Sequence, residues 1–146
     1  MIQIRAASKA DFEQWSRMRA SLWPTANVQE HLAEINEFFE NDNFQGWVAL
    51  NGNEYAGFAE ASVRSFANGC DSRPVVFFEG VWVADEFRKS GIGHKFVAAV
   101  ENWARSKGIN EIGSDAELSN TVSHNCHKKW GFEETERVVY YRKKLL

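Results

Sequence analysis

The chain has 146 residues, of which 44% are hydrophobic and 25% charged, enough apolar material for one core and too little for two ordinary ones. Seventeen Lys and Arg stand against 20 Asp and Glu, a formal charge of −3; neutralising a run of phosphates takes a basic excess, so nucleic acid is disfavoured as the main partner. No run reaches the roughly 18 apolar residues of a bilayer span, Met1 to Asp11 leaves no room for an apolar leader, and Cys70 and Cys126 lie far apart without a CxxC pair. The expectation is a cytoplasmic protein with free thiols, away from membranes.

Ile2 and Ile4 alternate with Gln3 and Arg5 in a short strand, and Ser8 with Asp11 three positions on resembles a capping box opening a helix to about Leu22, where Pro24 follows. Leu32, Ile35, Phe38 and Phe39 recur at helical spacing from Val28 to Asp42. Trp47 to Leu50 and Tyr55 to Phe58 flank Asn51-Gly52-Asn53-Glu54, a hairpin signal. A breaker-rich stretch, 66–74, precedes a β-branched and aromatic run from Val75 to Val83. Ile92, Phe96, Val97, Val100 and Trp103 form a helical stripe closed near Gly108. Glu111 to Asp115 reads as a weak strand, Ser119 as the cap of a helix to about Trp130, and Phe132 to Arg142 as a final strand carrying Val138-Val139-Tyr140-Tyr141. The order βααβββαβαβ, without repeat or linker, predicts one α/β or α+β domain over residues 1–146.

The chemistry-bearing stretch is Val81 to Phe96. Gly91 and Gly93 sit where a loop enters a helix, and the unpaired N–H groups of a first helical turn attract a diphosphate. Arg88, Lys89 and Lys95 add positive charge. An ordinary tight turn is the plainer alternative, and neither the P-loop nor the dinucleotide pattern fits, because Phe96 stands where the third glycine belongs. From Ala20 to Val63 there are seven carboxylates (Glu30, Glu34, Glu37, Glu40, Asp42, Glu54 and Glu60) and no Lys or Arg. This reads either as a solvated helix face or as a surface that draws in a polycation. Glu79 lies among apolar strand residues, where a lone buried carboxylate needs a partner, and a cationic ligand supplies one; Asp115 shares that cleft if the two strands are neighbours. The four histidines (His31, His94, His124, His127) lack zinc-ligand spacing, so no metal is expected.

Arg88-Lys89-Ser90-Gly91-Ile92-Gly93 matches the R/Q-x-x-G-x-G/A signature of the GNAT superfamily of acetyl-coenzyme A dependent N-acetyltransferases, between strand and helix as in that family. Asn120, Ser123, His127 and Gly131-Phe132 resemble its N-x-x-A-x-x-x-Y-x-x-x-G-F segment, with His127 in the place of the tyrosine. Leu22-Trp23-Pro24, Phe78-Glu79-Gly80, Gly113-Ser114-Asp115 and Gly131 to Val138 are similar to the aminoglycoside 6′-N-acetyltransferases. The resemblance implies the GNAT fold, a mixed and mostly antiparallel central sheet flanked by helices. It implies acetyl-CoA as cosubstrate, its pantetheine arm beside Val81, Trp82 and Val83. The diphosphate would lie on Arg88, Lys89, Ser90, Gly91, Ile92, Gly93 and His94, and Asn120 would face the coenzyme. It further implies that Glu79, Asp115 and Glu136 hold the amino groups of an aminoglycoside between Trp23 and Phe66, that antibiotic resistance follows, and that the C-terminal strand pairs in a homodimer.

An amine attacks a thioester only when neutral, so Glu79 or Asp115 is expected to take the proton, a strand N–H such as that of Val81 to meet the oxyanion, and His127 to serve the leaving thiolate. Cys126, adjacent to His127 in sequence, points elsewhere on the helix, which favours direct transfer over an acetyl-cysteine intermediate. Two alternatives stay open: the same chemistry on a polyamine, a metabolite amine or a protein N-terminus, and a non-enzymatic coenzyme A sensor.

Overall fold

The computed structural model describes all 146 residues. Strand β1 (Ile2–Ala6) is followed by helices α1 (Phe12–Leu22) and α2 (Val28–Phe38), strands β2 (Phe44–Asn51), β3 (Glu54–Arg64) and β4 (Val75–Val83), helix α3 (Ile92–Ser106), the two-residue strand β5 (Ile112–Gly113) and helix α4 (Thr121–Lys129). The strands lie in the order β1-β2-β3-β4-β5, antiparallel except for the last pair. Helices α1 and α2 cover one face of the sheet through Trp15, Met18 and Ile35, packed on Val48 and Phe58. Helix α3 covers the other through Phe96, Val97 and Val100, packed on Trp47, Ala49, Val76 and Phe78. Burying one such aromatic is worth about 1.5–3 kcal/mol.

Local chemistry sets the boundaries. Asp11 reaches back to the Ser8 N–H at 2.7 Å, but the first turn it closes is a 3-10 turn, Lys9–Asp11, ahead of α1. Helix α2 opens with a reciprocal cap: the Asn27 side chain accepts from the Glu30 N–H at 2.9 Å, and Glu30 accepts from the Asn27 N–H at 3.1 Å. It stops at Phe38, short of the expected Asp42. Asn51 pairs with Glu54, which leaves Gly52 and Asn53 as the hairpin loop, Gly52 at φ 64°. The cap of α4 is Asn120, not Ser119; its side-chain oxygen accepts from the Ser123 N–H at 3.1 Å.

The final strand expected over Phe132 to Arg142 does not form. Residues 132–146 carry no regular structure, and Val138, Val139, Tyr140 and Tyr141 are exposed. A strand exists only where another strand's edge accepts its N–H and C=O groups, and β5 offers its own chain two paired residues. A local Val-Val-Tyr-Tyr propensity cannot supply the missing partner.

Candidate active site

Strand β4 defines the site through the way it loses its neighbour. Val76 pairs with Ile112 and Phe77 with Gly113, and there the parallel pairing ends. Beyond it β4 runs on to Val83, bonded to β3 on one side only. The Val81-Trp82-Val83 segment therefore presents an unpaired sheet edge along a notch, into which an extended molecule fits as an added strand.

Helix α3 begins at the end of this notch. A 3-10 turn over Asp85–Phe87 leads to Lys89 at φ 63° and Gly91 at φ 83°, the left-handed conformation that glycine adopts at no steric cost. The first intrahelical bond runs from the Lys95 N–H to the Gly91 carbonyl at 3.1 Å. The N–H groups of Ile92, Gly93 and His94 precede it and have no helical partner, at the positive end of a 15-residue helix. The two glycines do different jobs. A Cβ at Gly91 meets nothing within 4 Å, so the residue serves the turn, whereas a Cβ at Gly93 falls 2.5 Å from Cζ2 of Trp130, so that glycine serves the close approach of an indole from the end of α4. Arg88 is already engaged, its Nε donating to the Val83 carbonyl at 3.0 Å and its guanidinium pairing with Asp85 at 3.1 Å. Ser90 donates to the Phe87 carbonyl. Their first service is to the loop's shape.

A bulge places Glu79. Glu60 pairs with Gly80 and Ala61 with Phe78, so Glu79 is the extra residue on β4. Its carboxylate accepts from the Ser62 hydroxyl at 2.5 Å and from Arg64 Nε and Nη2 at 3.0 and 2.8 Å, and the Arg64 guanidinium lies 3.7 Å above the Phe77 ring. The partner inferred for a buried carboxylate is thus supplied by the protein itself. Arg64 and Ser62 escaped the sequence reading, although their period-two spacing puts them on one face of β3. Asp115 lies two residues beyond β5 and is exposed.

His127 is held at both ring nitrogens. Nδ1 lies 2.7 Å from the Ser123 carbonyl, which can only accept, so Nδ1 carries the proton and Nε2 accepts from the Ser114 hydroxyl at 2.7 Å. Trp130 and Phe132 enclose the ring, their centroids 5.5 and 5.1 Å away. Ser114, not His127, carries the mobile proton of this pair in its resting form. Asn120 spends its side-chain oxygen on the α4 cap, which leaves its amide NH₂ for other contacts.

On the other side of the sheet Trp23 closes over β4: a Cβ at Gly80 would fall 2.5 Å from Trp23 Cζ2. Phe66 is 54% exposed, with the Arg73 guanidinium 5.2 Å above its ring. Glu136 lies on the irregular C-terminal segment, which does not bring it into the sheet beside Glu79. The acidic stretch is also less free than its letters suggest. Glu60 is buried against Arg19 at 2.7 Å, Glu34 pairs with Arg19 at 2.9 Å and Glu40 with Lys9 at 3.3 Å, cations that stand just before the run. No group of three or more His, Cys, Asp or Glu side chains is disposed to hold a metal ion, and no helix is long and apolar enough to cross a membrane.

A notch in a sheet edge that leads to a helix N-terminus suits an extended ligand with an anionic end, and similarity to known proteins says which family uses it here. The Acetyltransferase (GNAT) family profile matches residues 10–132, and the chain belongs to that family. It is 42% identical over 144 residues, 98% of this chain and 99% of the other, to "Aminoglycoside N(6′)-acetyltransferase type 1" of Salmonella enteritidis. To the protein of the same name from Serratia marcescens it is 37% identical, with 92% and 94% of the chains covered. The fold superposes with a TM-score of 0.94, at 41% identity and 99% coverage of both chains, on AAC(6′)-Iy in complex with the bisubstrate analog CoA-S-monomethyl-acetylneamine. With AAC(6′)-Ih from Acinetobacter baumannii the TM-score is 0.93 at 35% identity, again covering 99% of both chains.

Proposed function

We propose that this chain, as one GNAT domain over residues 1–146, transfers the acetyl group of acetyl-CoA to the 6′-amino group of aminoglycosides and so confers resistance. The observation that carries this reading is the separation of β4 from β5, which leaves an unpaired strand edge between a helix N-terminus and two carboxylates. The pantetheine arm adds to Val81-Trp82-Val83, and the diphosphate meets the free N–H groups of Ile92, Gly93 and His94, with Arg88, Lys89 and Ser90 shaping the loop. The amide of Asn120 faces the coenzyme. Glu79 and Asp115 attract the drug's ammonium groups, Trp23 and Phe66 flank its rings, and Glu136 joins the acidic set when the C-terminal segment is in place.

The reaction needs a neutral amine. Glu79 or Asp115 takes the proton from the 6′-ammonium; the amine attacks the thioester carbonyl, and the oxyanion is met by the Val81 N–H, which is already fixed by the strand. As the C–S bond breaks, the thiolate takes the Ser114 hydroxyl proton while Ser114 takes the second proton that the attacking nitrogen sheds as the amide forms, so the relay ends as it began, with Nε2 of His127 accepting from the Ser114 hydroxyl and holding it in place. Both thiols are free, which suits a reducing cytoplasm. The exposed Val138-Val139-Tyr140-Tyr141 segment suits strand exchange between two copies, each lending the edge that the other lacks.

The test is steady-state acetylation with acetyl-CoA across kanamycin-like, spermidine-like and peptide amines. Turnover confined to the aminoglycosides supports the proposal; turnover confined to peptides or polyamines, or coenzyme binding without any transfer, ends it.

A further inference from the structure

Four buried side chains from α1, α2 and β3, Trp15, Arg19, His31 and Glu60, form a polar cluster with the exposed Glu34 at its rim, and the transfer chemistry above has no use for it. Arg19 donates to both oxygens of Glu60 at 2.7 and 2.8 Å, and the Trp15 indole N–H donates to Glu60 at 2.7 Å. Arg19 Nε donates to Nδ1 of His31 at 3.1 Å, while its other arm meets Glu34. Arg19, His31 and Glu60 are at most 4% exposed, and Trp15 is fully buried. Such a cluster is poorly explained as stabilisation, because well-packed apolar side chains of the same volume do as well or better. What it provides is fixed geometry.

That geometry ends on Trp23. Since Nδ1 of His31 accepts from Arg19, Nε2 carries the proton and donates to the Trp23 carbonyl at 3.0 Å. The Arg19 guanidinium lies 4.9 Å from the centre of the Trp23 ring, Phe58 meets that ring edge-on at 6.0 Å, and the far edge of the indole lies over Gly80, next to Glu79. The residues after Trp23, Pro24 to Ala26, form a turn without helix or strand. His31 is therefore the link by which the buried cluster holds the start of the α1–α2 connection against the bulged strand.

We infer that His31 is a positioning residue for the amine substrate: through the Trp23 carbonyl it sets the height of the indole over β4 and so the width of the acceptor half of the site. This rests on the reading of Trp23 as a substrate wall. The test uses three variants of the full chain. His31→Leu keeps bulk and loses both hydrogen bonds; His31→Asn keeps a polar group within reach of Arg19 but is too short for the Trp23 carbonyl; His31→Gln presents an acceptor and a donor together. The expected result is an aminoglycoside KM raised about tenfold in the Leu and Asn variants, an acetyl-CoA KM within about twofold of the parent, and recovery in the Gln variant. With 5-fluorotryptophan incorporated, the Trp23 fluorine resonance, assigned by its loss in Trp23→Phe, should move in the first two variants and hold its place in the third.

An unchanged aminoglycoside KM, an equal rise in both KM values, or a Gln variant that behaves as Leu overturns the inference. If the Leu variant fails to fold, the Asn variant decides. If the parent does not turn over aminoglycosides at all, the proposed function fails, and a stationary Trp23 resonance in the Asn variant separately ends the claim about His31.

Discussion

Gly93→Ala should destabilise the protein because of an indole, with the coenzyme secondary. An ideal Cβ at Gly93 stands 2.5 Å from Trp130 Cζ2, 3.1 Å from Cε2 and 3.2 Å from Nε1, against an ordinary contact of 3.4 Å or more. The indole must retreat by about 0.9 Å, and it is hemmed in by His127 at 5.5 Å and Phe78 at 6.2 Å between ring centroids. Overpacking of this kind costs about 1–3 kcal/mol. With about 2.1 cal/mol/K per residue of unfolding entropy, a chain of this length loses about 3 °C of Tm per kcal/mol, so the drop should be about 3–10 °C. Trp130→Phe deletes the clashing atoms, so in the double variant the alanine should cost little, a coupling of at least about 1 kcal/mol in the cycle. Thermal unfolding of the four proteins, with and without coenzyme A, provides the measurement. If the two substitutions add independently, or if Gly93→Ala leaves Tm untouched and raises only the acetyl-CoA KM, then that glycine exists for the ligand and the packing argument is wrong.

Two buried carboxylates give opposite pH dependences. Burial works to raise the Asp11 carboxyl, but the hydrogen bonds from Arg5, Tyr55 and Ser8 outweigh it and hold the group far below the usual carboxylate range. Its stabilisation is complete above its unfolded pKa of about 3.8 and is lost as the pH falls below that, so Asp11→Asn should flatten the acid limb of a denaturation profile. Burial pushes Glu60 up to about 7 against the pull of Arg19 and Trp15. The folded state then binds the extra proton, and stability should fall between pH 4.5 and 7 by at most about 1.4 kcal/mol per pH unit. Glu60→Gln should abolish that slope, and a slope that persists refutes the assignment. Glu79→Ala should raise the aminoglycoside KM by about tenfold or more while leaving coenzyme A binding, measured by calorimetry, within about twofold; equal losses would contradict the division of the site. Truncation after Phe132 should convert a dimer to a monomer in sedimentation velocity, and an unchanged sedimentation coefficient would remove the exchanged strand from the proposal.

Elements whose cause is local were legible in the letters. The hairpin at Gly52-Asn53, the stripe of α3 ending at Gly108 and the left-handed turn at Gly91 follow from periodicity and from glycine's conformational freedom, both properties of a few adjacent residues. The paired glycines and the Asn120 to Phe132 segment pointed to the family for the same reason. The final strand went the other way: its four β-formers are as strong as those of β4, yet a strand is a relation between two edges, and residues 132–146 pair with no edge of this chain.

Which charges meet belonged to the tertiary structure alone. Glu79 with Arg64, Ser114 with His127 and Glu60 with Arg19 are separated by 15, 13 and 41 positions, and no periodicity links them. The bulge that aims Glu79 and the parting of β4 from β5 arise from sheet register, which depends on every strand at once. Composition put a surplus of acid in the first half of the chain; only folding decided that Glu60 would spend its charge on an internal arginine while Asp115 stayed exposed to solvent, because the field at a carboxylate is set by neighbours in space, whose place in the sequence is remote.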